Sequence, residues 1–390
     1  MKRRYFWIII LVLLLIVSLF LTCGVFNKPP PDVFVGIDVV YDNVAEIKLL
    51  ADEIRSYTNT IVIGSTGITF NVTKLDDVCQ YLYDRGFNFM IFAHPINDTA
   101  ALAIQRQWVL DAKPRWGERF LGLYAFDEPG GRQLDNASYK VVDDKDWFAD
   151  NWIDAADKFD RNMTLVLNHV IKDQMGAVNL PLFTSDYALY WFDYKGGYDV
   201  VFAEFGWNYS RHINVALDRG AANVQNRDWG VMITWTYTQP PDNESYLESA
   251  EELYDDLVLA YENEAKYILV FDTNENYTHS TLIDNERLDA LKRFWQYATD
   301  NPRPSAPPSD RVAYVLPKDY GYGFRGPNDT IWGLWGAANY TDSLKISTEV
   351  GALIDAYQNR LDVIYDDGLK ANSSYGYSKL IFWNGTLWVP

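Results

Sequence analysis

The feature that most constrains the fold of this chain is a regular alternation of short apolar runs with longer segments of helical periodicity. Eight such runs follow residue 32. Apolar residues in the intervening segments recur at helical spacing, which is the pattern that a parallel sheet needs between its strands. The predicted strands cover residues 33–39, 60–63, 89–93, 120–125, 163–167, 200–203, 230–234 and 267–271.

Eight βα repeats over about 270 residues match the size of a closed (β/α)8 TIM barrel, so we predict an α/β fold of this type for residues 32–300. An open doubly wound sheet is the alternative, but no Gly-x-Gly-x-x-Gly follows the first run. Residues 301–310 form a Pro-rich linker, and residues 311–390 are predicted to fold as a small C-terminal α/β domain. Its stretch 321–335 is rich in Gly, Tyr and Trp and is a candidate for a loop that reaches a binding cleft.

The amino-terminal segment, residues 1–31, has the pattern of a signal-anchor and linker. Residues 5–22 are almost all apolar, and Lys2, Arg3 and Arg4 precede them. This pattern predicts one transmembrane helix in the lipid bilayer with the rest of the chain outside the cytoplasm. A cleaved signal peptide and a lipid anchor at Cys23 are alternatives. The predicted location is the cell membrane, with a single pass and extracytoplasmic domains.

Two further features agree with an extracytoplasmic chain. Eleven Asn-x-Ser/Thr triplets occur, and this sequon is the acceptor for N-glycosylation. The formal net charge of -19 disfavours binding to nucleic acid. Because the chain has only two cysteines, one of them beside the predicted anchor, its outer part has no disulfide framework and depends on a large core.

In a barrel, reactive side chains project from the carboxyl ends of the strands. Polar or aromatic residues follow seven of the predicted strands in a way that suits sugar binding. These residues are Asp38, His94, Asp127, Glu128, His169, Glu204, Trp235, Tyr237 and Asp272.

The fourth predicted strand ends in Asp127-Glu128-Pro129, where two adjacent carboxylates precede a turn. This motif resembles the Asn-Glu-Pro of the retaining barrel glycoside hydrolases that include cellulases and β-galactosidases, with Asp127 in place of the Asn. The resemblance implies that Glu128 is the acid/base. In that superfamily a nucleophilic Glu ends the seventh strand, whereas residues 230–234 here are followed by no carboxylate.

A second carboxylate is nevertheless available, because Glu204 ends the sixth predicted strand. Glycoside cleavage requires one protonated and one ionised carboxyl. We therefore predict Glu128 as the acid and Glu204 as its partner, with Asp272 or Asp38 as substitutes for the partner and Asp127 as an orienting neighbour. A carboxyl separation of about 5 Å predicts retention of configuration, and about 6.5–9.5 Å predicts inversion.

Aromatic residues near the strand ends can stack on the apolar faces of sugar rings, which predicts an oligosaccharide or polysaccharide as substrate. The candidates are Trp207, Trp235, Tyr237 and Tyr41. His94 and His169 are predicted to hydrogen-bond sugar hydroxyls. A metal site that combines these histidines with Asp38 and Asp272 is the alternative, but no His-x-His or His-x-x-x-His spacing occurs, so no metal or cofactor is expected.

Three functions remain open from the sequence. The first is a glycoside hydrolase or transglycosidase with paired carboxylates at the barrel mouth. The second is a catalytically inactive glycan-binding barrel of the cell surface, which the missing carboxylate after the seventh strand favours. The third is a barrel hydrolase that acts on other bonds, such as a deacetylase or an amidohydrolase.

Overall fold

In the computed structural model of the protein, eight parallel strands close into one barrel, as predicted. The structure describes residues 30–135, 140–142, 148–234, 236–239, 244–274, 276–281, 285–304, 308–336, 341–367 and 375–389. The barrel strands are β1 (Phe34–Val39), β2 (Thr60–Ile63), β3 (Asn88–Ala93), β4 (Phe120–Ala125), β5 (Leu182–Asp186), β6 (Val200–Phe205), β7 (Asp228–Ile233) and, after a hairpin of β8 (Thr236–Gln239) and β9 (Glu244–Leu247), β10 (Tyr267–Asp272). The strands pair in chain order, and β10 closes the barrel by pairing with β1.

Helices connect the strands and cover the outside of the barrel. They are α1 (Val44–Ile54), α2 (Thr66–Thr69), α3 (Val72–Asp84), α4 (Thr99–Trp116), α5 (Pro129–Leu134), α6 (Trp152–Val166), α7 (Tyr190–Gly196), α8 (Arg211–Gln225), α9 (Ala250–Glu262) and α10 (Asn285–Asp300). Several begin at a side-chain cap, such as Asn43, Asp98 and Ser249, whose oxygens accept a backbone N–H of the first turn.

The interior of the barrel is filled by side chains below the mouth. This inner core contains Val62, Met90, Leu121, Phe183, Val200, Phe202, Met232, Tyr267 and Leu269. Phe183 and Tyr267 meet edge to face, with ring centroids 5.5 Å apart. The barrel is therefore a packed core that is closed at its floor, as expected for eight strands.

Strand β4 carries an irregularity near its amino-terminal end. Its pairing with β3 shifts by one residue, so that Met90 lies opposite Gly122 rather than Leu121. Gly122 has a φ of 148°, and a Cβ there would lie 2.2 Å from the carbonyl oxygen of Pro181. Leu121 and Tyr124 both join the inner core although strict alternation would separate them. The bulge thus turns Tyr124 into the barrel.

The fifth predicted strand, residues 163–167, is wrong. These residues end helix α6, whose buried face includes Ala155, Phe159 and Met163 at helical spacing. A π-helical segment, Leu167–Gln174, continues it. The true fifth strand, β5, ends in Thr184, Ser185 and Asp186, and this polar end hides it from a search for apolar runs.

The C-terminal domain is a four-stranded sheet with a helix packed on it. Its elements are β11 (Val312–Leu316), α11 (Thr341–Tyr357), β12 (Leu361–Tyr365), β13 (Lys379–Phe382) and β14 (Leu387–Trp388), in the sheet order β12-β11-β13-β14. Arg219 of α8 joins this domain to the barrel, because its guanidinium donates to Asp362 Oδ1 at 2.7 Å and to the carbonyl oxygen of Leu361 at 2.9 Å. Arg219 and Asp362 are both buried.

The predicted transmembrane helix lies outside the described residues. Within the part of the chain that the structure describes, no helix combines the length and the apolar character needed to cross a membrane.

Candidate active site

A cleft of about 810 Å³ opens at the carboxyl ends of the barrel strands. Its floor and walls combine carboxyl groups with aromatic and hydroxyl side chains, which is the composition that suits a carbohydrate. The residues that line it include Asp38, Asp42, Ser65, Thr66, Phe92, Tyr124, Asp127, Glu128, Ser185, Glu204, Trp207, Met232, Phe271, Asn276 and Tyr277. The structure therefore brings together five of the predicted site residues: Asp38, Asp127, Glu128, Glu204 and Trp207.

Glu128 is held in a strained backbone conformation at the end of β4. It precedes helix α5 with φ 53° and ψ 48°, and Phe126 two residues earlier also has a positive φ of 57°. A left-handed conformation costs a residue with a side chain of this size roughly 1–3 kcal/mol and persists only when its surroundings impose it. The Glu128 N–H donates to the carbonyl oxygen of Ser185 at 3.1 Å, which fixes the turn against β5.

Asp186, at the end of β5, provides most of the support for this turn. Its carboxylate accepts the N–H groups of Gly130 at 2.6 Å and Gly131 at 2.8 Å, both in the first turn of α5. It also accepts the N–H groups of Tyr187 at 2.8 Å and Ala188 at 3.1 Å. Asp186 thereby ties the segment after Glu128 to β5, and it positions Glu128 without lining the cleft.

Glu128 and Glu204 line the same cleft, and they lie close enough for the charge of Glu128 to act on Glu204. Burial, and then the charges of Asp127 and Asp186, raise the pKa of Glu128 to about 8. Burial, followed by the charge of Glu128, raises the pKa of Glu204 well above its usual range. Because both pKa values are raised, the pair holds at least one proton near neutral pH.

A chain of hydroxyl groups links Glu204 to Asp127. Ser185 Oγ hydrogen-bonds Glu204 Oε1 and lies 2.7 Å from the hydroxyl of Tyr124. The Tyr124 hydroxyl donates to Asp127 Oδ1 at 2.5 Å. On the solvent side, Arg132 of α5 lies 4.0 Å from Asp127 and 3.9 Å from Glu128. The two hydroxyls thus connect the carboxyl on β6 with the carboxyl of Asp127 after β4.

Asp38, at the end of β1, presents an unsatisfied oxygen to the cleft. Its Oδ1 is buried and meets no donor among the described residues. Burial, and then the charges of Asp127 and Asp272, raise the pKa of Asp38 well above its usual range. A Cβ on Gly64 would lie 2.4 Å from that oxygen, so the glycine makes room for the carboxyl. A hydroxyl group or a water molecule bound in the cleft would supply the missing donor.

One wall of the cleft carries the half-buried ring of Trp207. Trp207 has a φ of 50° in the turn after β6, and Tyr277 after β10 has a φ of 57°. Positive φ values in large residues thus recur in the loops at this face of the barrel, where backbone strain often accompanies binding function.

Several predicted site residues do not reach the cleft. His169 lies on the π-helical segment after α6, with 72% of its side chain exposed, because the strand expected before it is absent. His94 does follow β3, but it is exposed and its Nδ1 lies 3.1 Å from the carbonyl oxygen of Pro95. The prediction for His169 is wrong, whereas a sugar contact of His94, which is exposed directly after β3, stays a prediction. Among the described residues, no group of three or more His, Cys, Asp or Glu side chains is arranged to hold a metal ion.

Asp272 and Tyr41 are buried structural residues rather than cleft residues. The Asp272 carboxylate accepts from Ser280 Oγ at 2.7 Å and from the N–H of Thr281 at 2.8 Å, which folds the loop after β10. Tyr41 is fully buried in the main core. Both predictions of ligand contact are therefore wrong.

Two other aromatic candidates cannot be placed. Trp235 lies outside the described residues, and so does the side chain of Tyr237, of which only the backbone in β8 is described.

Sequence reasoning missed Tyr124, Ser185 and Asp186. Tyr124 stands inside an apolar run, and only the bulge at Gly122 turns it inward. The signal for Ser185 and Asp186 was the segment Leu182–Asp186 itself, in which two apolar residues lead into three polar ones.

No family model matches this chain, and no curated protein matches it either. Among solved structures, a β-galactosidase from the psychrophilic Marinomonas ef1 aligns over 90% of this chain and 72% of its own, at 8% identity and a TM-score of 0.57. An α-L-fucosidase from Paenibacillus thiaminolyticus aligns over 89% of this chain and 59% of its own, at 9% identity and a TM-score of 0.46. A xylanase from Cellvibrio japonicus aligns over 68% of this chain and 98% of its own, at 11% identity and a TM-score of 0.41. The chain therefore shares its eight-stranded barrel fold with a β-galactosidase.

Proposed function

We propose that this chain is a glycoside hydrolase and that Glu128 and Glu204 are its catalytic pair. The observation that carries the proposal is the placement of these two buried carboxyls in one cleft at the mouth of a barrel, beside an aromatic wall. Glycoside cleavage needs such a pair, with one carboxyl protonated and the other ionised. The similarity in fold to a β-galactosidase supports the proposal at the level of architecture.

In the proposed reaction, Glu128 is the acid because it stands where the Asn-Glu-Pro resemblance puts the acid/base, and the proton of this raised-pKa pair resides on it while Glu204 is ionised. It donates its proton to the leaving glycosidic oxygen while the Glu204 carboxylate attacks the anomeric carbon, so a glycosyl ester forms as the C–O bond breaks. Glu128 then takes a proton from water, which attacks the anomeric carbon and releases Glu204. A double displacement of this kind retains the configuration at the anomeric carbon.

The test compares Glu128→Gln and Glu204→Gln with the unaltered protein on a panel of aryl glycosides. The control is Glu118→Gln, which removes the same charge at a side chain that is 96% exposed and lies before the start of β4. Both cleft variants should lose at least about a hundredfold in kcat on substrates with a poor leaving group, because a positioned acid or base contributes roughly that much. Glu128→Gln should retain much more activity on dinitrophenyl glycosides, whose leaving group needs no proton.

Three results would contradict this assignment. Equal losses for the two variants on every leaving group would remove the distinction between acid and nucleophile. Inversion of configuration at the anomeric carbon, detected by NMR of the first product formed, would exclude the double displacement. Oligosaccharide binding without turnover by the unaltered protein would favour a binding barrel, which the absence of a carboxylate at the end of β7 also fits.

We further propose that the protein works at the outer side of a membrane, anchored by residues 5–22. Support comes from the apolar run and from the sequons, because those asparagines that the structure describes are mostly exposed. The exposed ones are Asn71, Asn97, Asn208, Asn276, Asn328 and Asn384. The protein from its native source should sediment with membranes, and enzymatic deglycosylation should increase its electrophoretic mobility. Recovery in the soluble fraction with no change in mobility would contradict both parts.

A further inference from the structure

A line of aromatic rings leads out of the catalytic cleft toward the C-terminal domain. Trp207 lines the cleft, and its ring centroid lies 6.5 Å from that of Tyr209, with 34° between the ring planes. Tyr187 lies beneath both rings, 5.9 Å from Trp207 and 6.1 Å from Tyr209. Tyr187 is buried, whereas Trp207 and Tyr209 are half-exposed, so the outer two rings are available to a ligand.

Tyr209 also borders a second, smaller pocket of about 320 Å³. The rest of this pocket belongs to the C-terminal domain. It is lined there by Arg325, Gly326, Pro327, Asn328 and Asp329. The two pockets therefore share one aromatic path, with the catalytic pair at one end and polar groups of another domain at the other.

The segment 321–335 that forms this pocket is anchored to the barrel. Arg325 pairs with Asp329 at 2.8 Å and with Asp135, which follows α5, and its guanidinium lies 5.9 Å from the ring of Tyr187. Trp332 is fully buried, and its carbonyl oxygen accepts from Gln133 of α5 at 2.9 Å. The pocket is thus held in place before any ligand arrives, which lowers the entropic cost of binding.

We propose that this second pocket is a sugar subsite and that the substrate is an oligosaccharide long enough to extend from the catalytic pair to residues 325–329. Trp207 and Tyr209 would stack on the apolar faces of successive sugar rings, and other polar groups of this pocket would hydrogen-bond the hydroxyls of the distal ring. The inference rests on the proposed hydrolase function for its substrate class. The C-terminal domain is therefore part of the binding surface.

The test measures kcat/KM by release of reducing ends for gluco-, galacto-, xylo- and manno-oligosaccharides of two to six units. Protein made without glycosylation is used, because Asn208 and Asn328 begin sequons on this path. The unaltered protein should prefer the longest member of the series that it cleaves. Tyr209→Ala should reduce the ratio of kcat/KM for the longest to the shortest member by roughly three- to tenfold, the range for one aromatic contact. The control Tyr83→Ala removes a tyrosine that is 38% exposed on α3 and should leave this ratio unchanged.

An equal kcat/KM at all lengths, or a ratio that Tyr209→Ala does not change, would overturn the subsite. If no sugar is cleaved, the hydrolase proposal fails, and calorimetric binding of the same series then decides the subsite. Affinity that increases with length in the unaltered protein, but not in Tyr209→Ala, would support it. Absence of that increase, or of any binding, would overturn it.

Discussion

Carboxyl groups crowd the mouth of the barrel, and hydroxyl groups set how their protons are distributed. Ser185 is the central one, because its hydroxyl hydrogen-bonds Glu204 and lies next to that of Tyr124. The hydrogen bond from Ser185 lowers the pKa of Glu204, although burial and the charge of Glu128 raise it by more. Ser185 is thus a positioning residue in the proposed reaction.

Ser185→Ala should move the acid limb of the kcat/KM profile to higher pH. Without that hydrogen bond the pKa of Glu204 rises further, so a higher pH is needed to ionise the group that must attack. Tyr124→Phe should produce a smaller shift, because Tyr124 reaches Glu204 only through Ser185. The measurement is kcat/KM against pH for both variants. A uniform loss of kcat/KM at every pH, with the acid limb unchanged, would mean that Ser185 contributes packing alone and does not affect the ionisation of Glu204.

At the scale of elements, the bulge in β4 determines which side chains enter the cleft. Gly122→Ala should destabilise the protein by about 1–3 kcal/mol or more, because the added methyl meets the carbonyl oxygen of Pro181 and φ is positive. Denaturant unfolding measures the change. Gly351→Ala is the control, since it adds the same methyl in α11 with nothing within 4 Å and should stabilise by about 0.5–1 kcal/mol. Equal effects at the two sites would refute the role of the bulge.

The sequence predicted the elements whose interior is apolar and failed where function changed the pattern. Seven barrel strands were found because their runs are apolar and are separated by helical periodicity. Strand β5 was missed because it ends in the polar residues Thr184, Ser185 and Asp186, which contact the site and the turn after β4. The apolar end of α6 was mistaken for a strand in its place. The prediction for His169 failed with it.

The site itself was predictable only in part. Glu128 and Glu204 stand out because each follows an apolar run, and the barrel rule then places them at one face. The bulge that turns Tyr124 inward depends on pairing between strands, which no local pattern reveals. The contacts that anchor Trp332 are likewise invisible to a local pattern, because they join segments that are distant in the chain.

At the scale of the whole molecule, the buried acids make stability depend on pH. Burial raises the pKa of Glu128 to about 8 and that of Asp186 to about 7, and burial together with Asp186 raises that of Asp193 well above its usual range. Between about pH 4, where these groups ionise in the unfolded chain, and pH 8, the folded state binds more protons. Stability is therefore greatest at the acid end of this window and falls as the pH rises through it.

The melting temperature should accordingly be higher at pH 5 than at pH 8. Asp193→Asn should reduce that difference, because the amide keeps the shape of the buried carboxyl but cannot ionise. Asp173→Asn, at a side chain that is 70% exposed, is the matched control and should preserve the difference. A higher melting temperature at pH 8 than at pH 5 would contradict this explanation. So would an equal difference in melting temperature between pH 5 and pH 8 for the two variants.

The closed floor of the barrel also affects the kinetics. Phe183, Phe202 and Tyr267 fill the interior below Glu204, so no route leads through the barrel to its other end. In the proposed hydrolase, substrate must enter, and product must leave, by the same opening. A retained product then occupies the entrance that the next substrate needs, so product inhibition should be competitive and increase with the length of the released fragment.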